Sequence, residues 1–147
     1  MPTVRFHLTS TLSAPELMAV LTDFSPARPE LWPTIDADHF QVHAIGENWA
    51  DVTEGTAAAW EHARYDWDED ANRVNITTLD SKVFGPGGGW VFQLTPGPDH
   101  TRVDVELTRH PGTFTRKLLA ALLPLVAPSS LRKSFSGPLH AQPVAAE

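Results

Sequence analysis

Residues 90–107 read WVFQLTPGPDHTRVDVEL, and this stretch decides the fold. Trp90, Phe92 and Leu94 alternate with Val91, Gln93 and Thr95. After Pro96-Gly97-Pro98-Asp99, Val103, Val105 and Leu107 alternate with Arg102, Asp104 and Glu106. Period-two alternation on both sides of a proline- and glycine-rich turn is the pattern of two antiparallel strands with one buried face. Working upstream, the same grammar recurs. Strands are expected over 40–45, 49–56, 59–67 and 73–84, separated by Gly46-Glu47-Asn48 and by the acidic turn Asp68-Glu69-Asp70-Ala71-Asn72. The stretch Gly85-Pro86-Gly87-Gly88-Gly89 reads as a loop. Short strands joined in order make an antiparallel meander.

Helices flank this meander. Val4, Phe6 and Leu8 form a first strand, and Ser13 then stands ahead of Ala14-Pro15-Glu16 as a helix cap. Leu17, Val20, Leu21 and Phe24 give one apolar face to a helix over 14–24. A short helix is expected around 30–32, ended by Pro33. From about residue 113 a long apolar helix is expected, with Phe114, Leu118, Leu122, Leu125 and Val126 as its stripe and a kink at Pro124. The fold class is therefore α+β: a curved antiparallel sheet of about six to seven strands wrapped around the C-terminal helix, with two short helices between strands one and two. Residues 1–140 read as a single domain and 141–147 as a frayed tail.

Composition bounds the function. The 147 residues are 41% apolar and 20% charged, the balance of an ordinary globular protein. The absence of cysteine excludes disulfides, thiolate nucleophiles and cysteine-ligated metals. A net charge of −7 argues against nucleic acid as a partner. The charge is uneven: residues 1–106 hold six Lys+Arg against 17 Asp+Glu, whereas 107–146 hold five basic residues and no acidic one. The N-terminal residues lack the features of an export signal, and a cytoplasmic location is expected.

Several details carry a resemblance. Ser13-Ala14-Pro15-Glu16-Leu17, Thr22-Asp23-Phe24-Ser25 and Leu31-Trp32-Pro33 resemble the START-related (SRPBCC) helix-grip superfamily. That group includes lipid-transfer START domains, polyketide cyclases and dehydratases, and the birch-pollen allergen family. The stretch from Trp60 to Tyr65-Asp66-Trp67, Leu79-Asp80-Ser81 and the strand end at Arg109 look like its polyketide cyclase/dehydratase-like members. The resemblance implies a hydrophobic cavity between sheet and C-terminal helix, used for binding a lipid or polyketide and in some members for cyclisation or dehydration. It implies no cofactor.

His39 and His43 would share a metal on a helix, but as strand residues they spread about 13 Å apart, so no metal site is read. Asp66, Asp68, Asp70 and Asn72 lack the Gly and Glu that complete a calcium loop and read as a hairpin turn. Trp32, Trp90 and Phe92 are expected to line the cavity, with Leu118 and Leu122 opposite them. On strand 59–67, Trp60, His62, Arg64 and Asp66 share one face and Glu61, Ala63, Tyr65 and Trp67 the other, and each face carries a Trp. If the first face is concave, Trp60, His62 and Arg64 join the cavity; Thr78 and Asp80 are in the same way either pocket polars or solvent-facing, and His62, Arg64 and Asp80 are the candidate acid–base groups. Arg116-Lys117 and Arg132-Lys133 would allow a transient contact with an anionic membrane surface; the alternative leaves them solvated while the leucines grip the sheet. An adaptor binding another protein through its acidic sheet face is the third reading.

Overall fold

The computed structural model describes residues 3–110, 137–139 and 141–143. The expected C-terminal helix, with Leu118, Leu122 and the basic pairs, lies outside these residues. Strand β1 (Thr3–Ser10) is followed by helices α1 (Ala14–Leu21) and α2 (Arg28–Leu31) and by a tight helical turn at Ala37–His39. Then come β2 (Gln41–Ile45), β3 (Trp49–Gly55), β4 (Trp60–Asp68), β5 (Arg73–Ser81), β6 (Gly85–Pro96), β7 (Thr101–His110) and β8 (Ala141–Pro143). They form one eight-stranded sheet in the order β2-β3-β4-β5-β6-β7-β1-β8, with each neighbouring pair antiparallel.

The alternation read from the sequence sets the inner face. Phe6 and Leu8 of β1, Val103, Val105 and Leu107 of β7, Phe92 and Leu94 of β6, and Val74 and Ile76 of β5 are buried there. On β4 the buried residues are Ala63 and Tyr65, paired with Val52 and Ala50 of β3. This settles the face left open by the sequence: Glu61, Ala63, Tyr65 and Trp67 point inward, and Trp60, His62, Arg64 and Asp66 outward.

Helix α1 starts as read. Ser13 Oγ accepts from Glu16 N at 3.3 Å, and Glu16 Oε1 accepts from Ser13 N at 3.1 Å, a reciprocal capping box. It ends at Leu21 rather than near residue 24, because Thr22 caps it through Oγ1 to the Met18 carbonyl at 2.7 Å. The freed stretch 22–27 lets Phe24 turn into the core and positions Arg28, whose side chain is only 3% exposed. Arg28 Nε donates to Glu54 Oε2 at 2.9 Å, Nη2 to Tyr65 OH at 3.0 Å, and Nη1 to the carbonyls of Asp23 at 2.9 Å and Leu21 at 3.3 Å. Tyr65 OH donates in turn to Glu54 Oε1. The guanidinium also lies over the rings of Phe24 (4.6 Å) and Trp32 (5.5 Å). Burial works against the Arg28 charge, but Tyr65 and Glu54 outweigh it and hold its pKa above the ordinary arginine value.

Two segments differ from the sequence reading. Residues 85–89, expected as a loop, begin β6, with a register break against β7 between Gly85 and Gly89. Gly89 pairs with Thr77 on one side and Thr108 on the other, and a Cβ there would collide with the Ile76 carbonyl. Glycine is thus a condition of pairing here, not a sign of a loop. Residues 141–143, expected to fray, pair with Leu8–Ser10 and cover the free edge of β1. Ser10 Oγ donates to the Leu139 carbonyl at 2.6 Å and holds that segment in place.

Two predictions follow from this packing. Replacing Gly89 with Ala should cost about 1–3 kcal/mol, seen as a drop of several degrees in Tm; an unchanged Tm would show that β6 can move away from β5. The second concerns Tyr65, the only tyrosine in the chain. Burial, and next the Glu54 carboxylate, push its phenol well above the ordinary value, with Arg28 acting in the opposite sense. The unfolded chain loses this proton near about pH 10, while the folded chain keeps it. Above that pH the unfolded state binds fewer protons, so stability falls as pH rises towards the folded-state pKa. In an alkaline titration, tyrosinate absorption should appear together with loss of the far-ultraviolet circular dichroism. Ionisation near about pH 10 with the fold intact would contradict the buried geometry.

Candidate functional site

Beyond Tyr65, the inner face carries a second polar group. The inward series Val103, Val105, Leu107 of β7 continues to Arg109, and the series Val74, Ile76 of β5 continues to Thr78. On β4 the inward series begins at Glu61. Three strands thus bring a cation, a hydroxyl and a carboxylate together at the end of these apolar series. Arg109 Nη1 donates to Glu61 Oε2 and to Thr78 Oγ1 at 3.1 Å, and Thr78 Oγ1 donates to the same Glu61 oxygen at 3.1 Å. The Arg109 and Glu61 side chains are each 14% exposed, and Thr78 is buried. Arg109 Nε has no hydrogen-bond partner among the described residues.

Aromatic rings frame the cluster. The Arg109 guanidinium lies 4.9 Å from the Phe84 ring and 5.3 Å from the Trp90 ring, and Trp90 stacks with Phe92 at 6.1 Å. A charged pair set against aromatic faces, with donor capacity left on the cation, can hold the polar end of a molecule whose body is apolar.

The residues proposed from the sequence separate by face. Trp90 is half-buried and Phe92 buried on the inner face; Trp32 is buried in the core against Arg28. The register turns Trp60, His62 and Arg64 outward, so they do not line the inner face. Arg64 pairs with Asp66 at 3.1 Å and lies over the Trp49 ring at 4.4 Å. Asp80 is opposite His62 because a bulge at Leu79 shifts the register between β4 and β5, and its carboxylate accepts from Ser81 N at 2.8 Å. Trp60, His62 and Asp80 share an open groove of about 650 Å³ with His39, Phe40 and His43 on the outer face.

The sequence reading names neither Arg28 nor Glu54, and holds Glu61 and Thr78 only within alternatives left open. Parity does carry a signal for three of them. Glu54 continues Ala50 and Val52, Glu61 precedes Ala63 and Tyr65, and Thr78 follows Val74 and Ile76. A polar residue at the end of a buried series is where such a signal is found. Arg28 opens the four-residue helix α2, too short to show a period, and carries none.

The sequence matches no family model and no curated protein. Solved structures do share its architecture. A START superfamily protein from Mycobacterium smegmatis is 16% identical, with 94% of this chain and 97% of that one covered and a TM-score of 0.66. Zhui aromatase/cyclase from Streptomyces is 13% identical, with 93% of each chain covered and a TM-score of 0.67. Norcoclaurine synthase from Thalictrum flavum, solved in complex with dopamine and hydroxybenzaldehyde, is 11% identical, with 94% of this chain and 83% of that one covered and a TM-score of 0.70. At these identities the likeness is one of fold, and the fold is that of the START-related (SRPBCC) superfamily.

Proposed function

We propose that the chain binds a small, mainly apolar molecule with one polar end against the inner face of the sheet. Arg109 and Glu61 hold the polar end, and Trp90, Phe84 and Phe92 pack on its body. The observation that carries this reading is the Arg109–Glu61–Thr78 cluster, a polar group set among aromatic rings at the end of an apolar surface. A lipid or an aromatic polyketide has the required character. The fold supports the reading, since proteins of this architecture include one solved with dopamine and hydroxybenzaldehyde. Turnover through His62, Arg64 or Asp80 gains no support from the geometry, because those groups lie on the other side of the sheet from the cluster.

The test uses 8-anilinonaphthalene-1-sulfonate, an apolar fluorophore with an anionic end. Wild-type protein should bind it at one saturable site. Arg109→Gln should weaken binding at least tenfold, about 1.4 kcal/mol, with Tm measured on the same sample to show that the variant is folded. Arg64→Gln on the outer face should bind like the wild type. Equal affinities for all three proteins would reject the inner-face cluster as the anchor.

A further inference from the structure

The outer face carries an arrangement that ligand binding on the inner face does not use. His43, Asp51 and His62 come from three adjacent strands, β2, β3 and β4, and present one ligand atom each, all within 4.8 Å of one another. His62 Nε2 lies 2.5 Å from Asp51 Oδ1. The His43 and His62 rings are 5.0 Å apart at an interplanar angle of 72°, so that they converge edge to face. His43 Nε2 is 2.7 Å from Thr53 Oγ1, the next outward position of β3.

We propose that His43, Asp51 and His62 bind a divalent transition cation of the zinc class. Two imidazoles and one carboxylate are a donor set suited to such ions, and three protein ligands leave a further coordination position open. Tetrahedral ligand atoms about 2.0–2.1 Å from zinc are roughly 3.3 Å from one another. To reach that spacing the His62–Asp51 pair, 2.5 Å apart, must open by about 0.8 Å and the widest pair, within 4.8 Å, must close by at most about 1.5 Å, both within the reach of side-chain rotation.

The backbone supports the assignment independently. In regular pairing a residue of β2 between Val42 and Ala44 would have a partner on β3, but the register shifts there and His43 is the extra residue of a bulge. Bulges redirect side chains and recur beside functional sites. This one sends an imidazole towards Thr53 and His62 on the outer face. The open position would face the 650 Å³ groove, where Trp60, Phe40 and Asp80 bound the space a water or a carboxylate-bearing molecule would enter. A bare His62–Asp51 hydrogen bond would account for two of the three residues and leave the bulge at His43 unexplained.

The experiment uses the untagged full chain, stripped with a chelator and titrated with Zn²⁺ by calorimetry and with Co²⁺ by visible absorption. One equivalent of Zn²⁺ should bind with micromolar or tighter affinity, and Co²⁺ should develop an absorption band that Zn²⁺ displaces. His43→Ala, Asp51→Asn and His62→Ala should each weaken Zn²⁺ binding at least tenfold and abolish the Co²⁺ band. His39→Ala, in the same groove but outside the triad, should change neither. His43 is exposed and Asp51→Asn preserves volume, so these two variants keep the test valid if His62→Ala proves unstable. Binding weaker than millimolar, or binding that the three substitutions leave unchanged, would overturn the proposal. Since neither readout involves the inner face, failure here leaves the ligand reading standing, and the reverse holds.

Discussion

A guanidinium buried to 3% exposure is the constraint on which the N-terminal half of this protein depends. An arginine removed from water is costly unless each of its nitrogens and the charge find partners. Arg28 meets that condition with two backbone carbonyls at the end of α1, a carboxylate from β3 and a phenol from β4. The helices between β1 and β2 therefore have one position relative to the sheet in which this charge is satisfied. Phe24 and Trp32 complete the enclosure from the flanking turns. Asp23, held below the usual carboxylate range by the Ser25 backbone N–H, fixes the turn that presents its own carbonyl to Arg28.

The two faces of the sheet divide the chemistry. Inside, two arginine–glutamate pairs lie among aromatic rings, one tying helices to strands and one at the end of an apolar surface. Outside, imidazoles and carboxylates gather where β2, β3 and β4 run side by side. Strand β4 serves both, since its alternate residues supply Glu61 and Tyr65 to one face and His62 and Arg64 to the other. A slip of one residue would exchange the two sets. The Tyr65–Glu54–Arg28 bonds on one face and the pairing of Asp51 with His62 on the other hold the register against it.

What could be read in advance follows the same physics. Alternation in 90–107 and in β1 located strands and their buried residues because each has one uniformly apolar face. The antiparallel meander and the helices between β1 and β2 were legible on that basis together with the resemblance. On β4 the reading stopped, since Trp60 and Trp67 stand on opposite faces and neither parity is cleanly apolar. Gly85-Pro86-Gly87-Gly88-Gly89 looked like a loop because it has no side chains to alternate, whereas close backbone approach is what requires those glycines. Residues 141–143 pair through their backbone, which leaves no mark on composition. Arg28 was illegible because a charge at the start of so short a helix is ordinarily solvated. His43 and His62 are brought together by register and a bulge, neither of which spacing along the chain reveals.

The order of strands also shapes how the chain acquires its structure. From β2 to β7 each strand pairs with the one just made, so these pairings can form as the polypeptide emerges from the ribosome. Strand β1 is the exception. Its Thr3 meets Thr108, 105 residues later, and its Ser10 meets Leu139, 129 residues later. At synthesis rates of about 5–20 residues per second, β1 and the α1 segment wait several seconds for a partner. During that interval Phe6, Leu8 and Leu17 have no core to enter, and an open strand edge is offered to solvent. The nascent chain is thus most open to association with other chains in the seconds before β7 is made, and closure of the sheet by β7 ends that exposure.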